Sequence, residues 1–149
     1  MPGKSDTFEY NLLRGVYNGV AISSLFTTAG STLLWMGAHT ADPTDACSTA
    51  AEGGYTQYTR VAVERSTATN GWNVTSGTSN TVASAQPVGA INFPQNTTTS
   101  TGTFSYGSVW LSSNASSSGC LYFGPISPTI AWGQNVTPQL TTGSSITED

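Results

Sequence analysis

Charge is what this sequence has least of, and its placement says more than its amount. From Ser66 through Thr147 there is no Lys, Arg, Asp, Glu or His, so more than half of the chain carries no side chain that titrates near neutral pH. General acid–base chemistry needs such a group beside its substrate, and that half therefore reads as structural. The cations are Lys4, Arg14, Arg60 and Arg65, too few and too scattered for the cationic stripe that phosphate-backbone binding requires. No direct nucleic-acid contact is expected. No apolar run approaches a membrane span, so no membrane partner is expected either. The start, Met1-Pro2-Gly3-Lys4-Ser5-Asp6, lacks the basic segment and apolar run of an export signal, and the expectation is a chain made, and at first kept, in a cytoplasm.

Cysteine is almost absent as well. Cys47 and Cys120 can pair only if the fold brings them within bonding distance, and a reducing compartment favours two free, half-buried thiols. With 149 residues the chain is long enough to bury a core without disulfide or metal staples. Four sequons, at Asn73, Asn96, Asn114 and Asn135, are expected by chance where Asn, Ser and Thr are so frequent.

What the chain does have is Ser, Thr, Asn and Gly interleaved with aromatics, as in Thr103-Phe104-Ser105-Tyr106-Gly107-Ser108-Val109-Trp110-Leu111. Disorder goes with few aromatics and high net charge, and this is the opposite pattern. Such segments build strands rather than solvated helices. Leu33 to His39 is a near-continuous apolar run, which predicts a central strand covered on both faces. Tyr58 to Glu64 alternates across a pleat. Further strands are predicted at Trp72–Thr75, Thr78–Val82, Ala90–Phe93, Thr103–Leu111, Cys120–Pro125, Val136–Leu140 and Ser145–Thr147, with Ser112–Gly119 as a hairpin loop. Short strands at this spacing, between Gly, Asn, Pro and Ser clusters, predict a mainly β protein, an antiparallel, jelly-roll-like β-sandwich over residues 31–149. One helix is predicted in an N-terminal arm, residues 1–30. Asp6 caps it, Glu9 reaches back, and Phe8, Leu12 and Val16 form an apolar face over Asp6–Tyr17. Ala21 to Gly30 fits a short helix or a loop.

Two constellations have to be weighed as chemistry. His39 stands close to Asp42 and Asp45, which is a partial ligand set for a metal. A catalytic metal usually takes three protein ligands and no second histidine exists, so a strand end followed by an Asp42-Pro43 turn is the better reading. A Ser-His-Asp site on His39 is weaker, since no Gly-x-Ser-x-Gly elbow occurs. Trp72, Trp110, Trp132, Tyr106 and Tyr122 suit a sugar-stacking platform, core packing or burial against another subunit. Low charge favours contact between subunits, because interface cores are poor in charge and rich in aromatics.

The order of motifs resembles a widespread family of small tailed-bacteriophage virion proteins, called tail fibre proteins, some of which are head decoration (cement) proteins. The features that carry the resemblance are Ser5-Asp6-Thr7-Phe8-Glu9-Tyr10-Asn11-Leu12-Leu13, Leu34 through Pro43, Gly54-Tyr55 with Tyr58-Thr59-Arg60-Val61-Ala62-Val63, Ala90 through Pro94, Thr103 through Gly107, Gly119 through Gly124, and the ending Gly143 through Asp149. The chain departs from the pattern in its uncharged second half and in Thr56-Gln57 ahead of Tyr58. The resemblance implies a β-sandwich without catalytic machinery or cofactor, assembled in host cytoplasm and carried on the capsid exterior. Its partners would be the major capsid protein and sister subunits, as dimer or trimer. The function expected first is capsid decoration that stabilises contacts between capsomers, with a tail-associated receptor- or glycan-binding protein as the alternative. Interface residues expected on this reading are Phe8, Leu12, Arg14, Trp110 and Trp132. The competing reading of Phe8 and Leu12 is that they pack the helix onto its own sheet.

Overall fold

The computed structural model describes residues 3–5, 8, 10, 12, 33–75, 83–114 and 119–148. Ten strands lie within them: β1 (Gly3–Lys4), β2 (Leu33–His39), β3 (Val61–Glu64), β4 (Trp72–Thr75), β5 (Ala83–Pro87), β6 (Ile91–Asn92), β7 (Gly102–Trp110), β8 (Cys120–Trp132), β9 (Gln139–Leu140) and β10 (Ile146–Glu148). They form a five-stranded sheet in the order β1-β8-β7-β2-β3, a three-stranded sheet β10-β5-β4 and a two-stranded sheet β6-β9. Every ladder is antiparallel. The protein is thus mainly β, as expected. The strand expected at Thr78–Val82 lies outside the described residues, as does most of the helix expected over Asp6–Tyr17. No helix is among the described elements, and the isolated helical positions Phe8, Tyr10 and Leu12 are too few to define one.

One core joins the sheets. Met36 and Ala38 from β2, Val63 from β3, Phe104 and Val109 from β7 and Leu121 from β8 meet Trp72 of β4, Ile91 of β6 and Leu140 of β9. At its centre Tyr55, Tyr58, Phe93, Phe104 and Trp132 pack as a nest of rings, with Tyr55 5.2 Å and Phe104 6.0 Å from Trp132 between centroids. The Trp132 ring lies over Gly54 and Gly102, where an added Cβ would come within 2.5 Å of it. Glycine is needed there for close approach. Tyr55 donates its hydroxyl to the Pro94 carbonyl at 2.7 Å.

Strand periodicity sends alternate β2 residues to the other side of the large sheet. There Trp35, Trp110, Cys47, Cys120 and Phe123 form a second cluster, so β2 is covered on both faces, as its apolar run predicts. A bulge sets the parity on β8. Val109 pairs with Tyr122 but Trp110 with Cys120, leaving Leu121 as the extra residue. Leu121 and Tyr122 can therefore both serve the main core, while Cys120 and Phe123 serve the second cluster.

The start of the chain is stitched to β8. Gly3 and Lys4 pair with Phe123 and Tyr122, the Ser5 hydroxyl donates to the Cys120 carbonyl at 2.6 Å, and Phe8 meets the Tyr122 ring edge-on at 5.5 Å. Phe8 is buried in the main core. Phe8→Ala should then cost about 3 kcal/mol of folding stability, measured by urea unfolding; a loss under about 0.5 kcal/mol, as at an ordinary surface site, would mean that Phe8 does not anchor the arm.

Candidate functional site

Three ionisable side chains, His39, Glu52 and Arg60, converge on the second face of the large sheet. Beyond Met36↔Val61, the last pair of the β2–β3 ladder, the segment 51–58 takes over as the neighbour of β2. Gly53 N–H donates to the Ala38 carbonyl at 2.9 Å, Ala38 N–H donates to the Tyr58 hydroxyl at 2.7 Å, and His39 and Glu52 form an antiparallel bridge. This bridge puts the Glu52 carboxylate over Gly37, where an added Cβ would lie 3.0 Å from Oε1 and 2.6 Å from Ser108 Oγ. Gly37 makes room for the whole arrangement.

Arg60, just before β3, binds that carboxylate with two parallel bonds, Nε to Oε1 at 2.6 Å and Nη2 to Oε2 at 2.7 Å. Nη1 donates to the Ser112 and Asn114 carbonyls, tying the loop after β7. The guanidinium lies 3.6 Å from the centroid of the Trp110 ring. The ion pair is buried, with side-chain exposures of 2% for Arg60 and 7% for Glu52, and Arg suits such a place because its planar fork binds a carboxylate and stacks on an aromatic face at once. Tyr58 completes the set by donating to Glu52 at 3.2 Å. Burial, and after it the Glu52 charge, raise the Tyr58 pKa and keep the phenol protonated.

His39 Nε2 and Ser108 Oγ are 2.6 Å apart, and Trp110 Nε1 donates to the same Oγ at 2.6 Å. A serine and a histidine in contact invite comparison with a nucleophile and its base, but the orienting acid is missing: His39 Nδ1 is buried without a partner. Neither residue is within reach of a substrate in this conformation, at 0% exposure for His39 and 1% for Ser108. Burial lowers the His39 pKa to about 4, opposed by Glu52 and assisted by Arg60. The imidazole is accordingly neutral near physiological pH. Asp42 faces away in a turn and accepts from Thr44 N–H at 2.8 Å. No three His, Cys, Asp or Glu residues converge as a metal site among the described residues.

The expectation of two free thiols is corrected here. Cys47 and Cys120, 73 residues apart, are joined in a disulfide with a Cα–Cα distance of 6.3 Å, and both are buried. Sequence separation conceals that the turn after β2 and the first residue of β8 share one face of the sheet. In the chain-entropy account, closing so long a loop stabilises the fold by about 4 kcal/mol.

Of the expected interface residues, the structure places Trp110 (0% exposed) and Trp132 (6%) inside, one beneath Arg60 and the other against glycines. Phe8 is in the core, Leu12 is exposed at 36%, and Arg14 lies outside the described residues. Trp72 is buried, whereas Tyr106 and Tyr122 are half-buried. Sequence reasoning missed the Glu52–Arg60 pair. The available signal was an arginine entering an apolar strand in a chain with only four cations.

Fold and site together define a mainly β structural module whose one histidine and whose ion pair between Glu52 and Arg60 lie inside. The family model described as podophage GP4 fiber I protein gp80 matches residues 3–145, nearly the entire chain, and the chain belongs to that family. It is a bacteriophage virion protein, fibre-associated by its family's description. No curated protein matches it.

Two outcomes follow from the buried network. Glu52→Ala leaves the Arg60 guanidinium buried without its counter-charge and should destabilise the fold by about 3–5 kcal/mol, whereas the double change Glu52→Leu with Arg60→Met should recover much of that loss in chemical denaturation. For His39, the folded pKa of about 4 lies below the ordinary 6.5, so the unfolded chain takes up the proton first. The contribution is full above about 6.5 and is lost as pH falls toward about 4, amounting to about 3 kcal/mol. Denaturant unfolding across that window should show the loss in the parent protein and not in His39→Gln; parallel profiles would contradict it.

Proposed function

We propose that this chain is a non-catalytic attachment module on the virion exterior, mounted with the fibre apparatus and acting by protein–protein contact alone. The observation that carries this reading is where its chemistry goes. The histidine, the serine it touches, the Glu52–Arg60 pair and the rings of Trp72, Trp110 and Trp132 are all buried, and the surface of the described residues is largely neutral Ser, Thr, Asn and Gly. A glycan-reading platform would need flat rings at the surface, and these three tryptophans do not supply one. The family's description favours the fibre placement.

A second placement is decoration of the capsid, with the major capsid protein as partner. The neutral surface favours it, because many identical copies can then crowd a shell without mutual repulsion. Each contact can be modest in area when many copies act together. Copy number separates the two. Quantitative densitometry of purified particles should give a few copies per virion for a fibre-mounted protein and on the order of hundreds for a shell-wide coat; absence from washed particles would defeat both.

A further inference from the structure

The two cysteines stand on separate pieces of the fold, and each piece is held by ties other than the bond between them. Cys120 opens β8 opposite Trp110, its carbonyl accepts from the Ser5 hydroxyl, and Leu111 N–H donates to the Gly119 carbonyl beside it at 2.8 Å. Cys47 lies in the turn that follows β2. Its N–H donates to the Thr44 carbonyl and Ser48 N–H to the Pro43 carbonyl, both at 2.8 Å. The far end of this turn returns to β2 through Thr40 N–H to the Ala51 carbonyl at 2.9 Å and the His39–Glu52 bridge, where the Arg60 fork grips Glu52. Backbone bonds and a buried ion pair thus place both sulfurs on one face.

The turn is a thin cover over a buried sulfur. Thr44, Asp45, Ala46, Ser48 and Ala50 are exposed, whereas Pro43 and Cys47 point in, and neither cysteine exceeds 1% exposure. Thr44 and Cys47 both take left-handed backbone, at φ 59° and 49°, a region that residues other than Gly, Asn and Asp adopt at a cost. Glycine would sit at position 47 unstrained, and the fold holds a thiol there instead. The chain has no third cysteine, so no wrong pairing competes. Opening of this turn exposes Cys47 while Cys120 stays in the sheet; while it is closed, small thiols and disulfides reach neither sulfur.

We propose that the Cys47–Cys120 bond is a late lock: the chain folds and is mounted with both thiols reduced inside the host cell, and the bond closes on the folded module once the particle meets an oxidising medium. The inference rests on the attachment reading, in which the particle is assembled in the cell. Cytosol keeps thiols reduced, and a particle outlives the cell that made it. The oxidant is a small disulfide, such as that of glutathione after the cell contents meet air. When the turn opens, the Cys47 thiolate attacks one sulfur of this disulfide, forms a mixed disulfide and expels one small thiolate. The Cys120 thiolate then attacks the Cys47 sulfur and expels the second. Two protein thiols become one disulfide, the small disulfide is reduced to two thiols, and the two protons pass to the departing thiolates. The bond spans 73 residues, so it restrains the unfolded chain strongly. Reduction requires the same opening of the turn, which the closed bond now opposes.

Alkylation before and after release tests the timing. Infected cells quenched in trichloroacetic acid and dissolved in urea with N-ethylmaleimide should yield the chain labelled on both cysteines, and particles released by lysis and held in air should yield it unlabelled, as read by mass spectrometry of the full chain. Protein already oxidised inside the cell, or released particles that keep both thiols, would overturn the late lock. A second measurement separates a lock from a condition of folding. Purified protein unfolded in urea with a phosphine reductant and refolded in its presence should regain the circular dichroism of the oxidised form, yet unfold at a lower urea concentration. Failure to regain structure while reduced, or an unchanged midpoint, would also overturn the proposal. Attachment is read separately: absence from washed particles sinks that reading alone, because labelling of the free protein in the cell and in the aerated lysate still reports when the bond forms.

Discussion

The contact between Arg60, Glu52 and the face of Trp110 is the constraint around which the large sheet is organised. A guanidinium can be taken out of water only where a carboxylate, carbonyls and a ring replace its hydration, and each replacement comes from a different part of the chain. Glu52 comes from the segment that succeeds β3 alongside β2, the carbonyls of Ser112 and Asn114 from the loop after β7, and Trp110 from the end of β7. Satisfying one side chain therefore fixes three connections. Gly37 is the steric condition for it and the Cys47–Cys120 bond closes the same face covalently. Tyr58 carries the constraint through to the opposite layer, since its ring packs among the core aromatics while its hydroxyl reaches Ala38 and Glu52.

The large sheet is consequently a wall with an interior on each side, aromatic and apolar on one and mixed on the other. Apolar packing of the first kind is non-directional and tolerates rearrangement. The second kind is directional, because bidentate pairing and shared hydroxyl bonds hold only at set distances. Register between β2, β7 and β8 is thus defined by the polar face, and the bulge at Leu121 reconciles that register with the needs of the apolar one.

Much of the strand layout was legible in the sequence, and the reasons for the misses are physical. β2 falls where its apolar run places it, and β4 falls at Trp72–Thr75, where a short strand between turn clusters is expected. β8 runs on to Trp132 rather than stopping near Pro125, because a proline is tolerated where a strand lacks a neighbour on that side. β5, Ala-Ser-Ala-Gln-Pro, has neither β-branched nor aromatic residues, and its pairing with β4 and β10 overrides weak propensity. β1 is two residues long and exists only because β8 receives it. The turn at Asp42 was readable from local chemistry. Partners remote in sequence were not: Glu52 and Arg60 follow no period, and a 73-residue separation says nothing about whether two sulfurs meet.

Placing the Glu52–Arg60 pair inside has a consequence for the outside. Most soluble proteins use surface charge of mixed sign to keep copies apart, and from Ser66 to Thr147 this chain has none to use. On the attachment reading proposed above, discrimination over that segment comes from shape and from backbone hydrogen bonding, which act only at contact and do not steer approach. That suits a component whose partners are held close by assembly of the particle itself, where local concentration replaces long-range attraction. It also explains why the edges matter more than the faces. On a neutral surface, a row of unpaired N–H and C=O groups is the strongest directional feature available, and Pro125 and Pro128 in β8 limit where it can act.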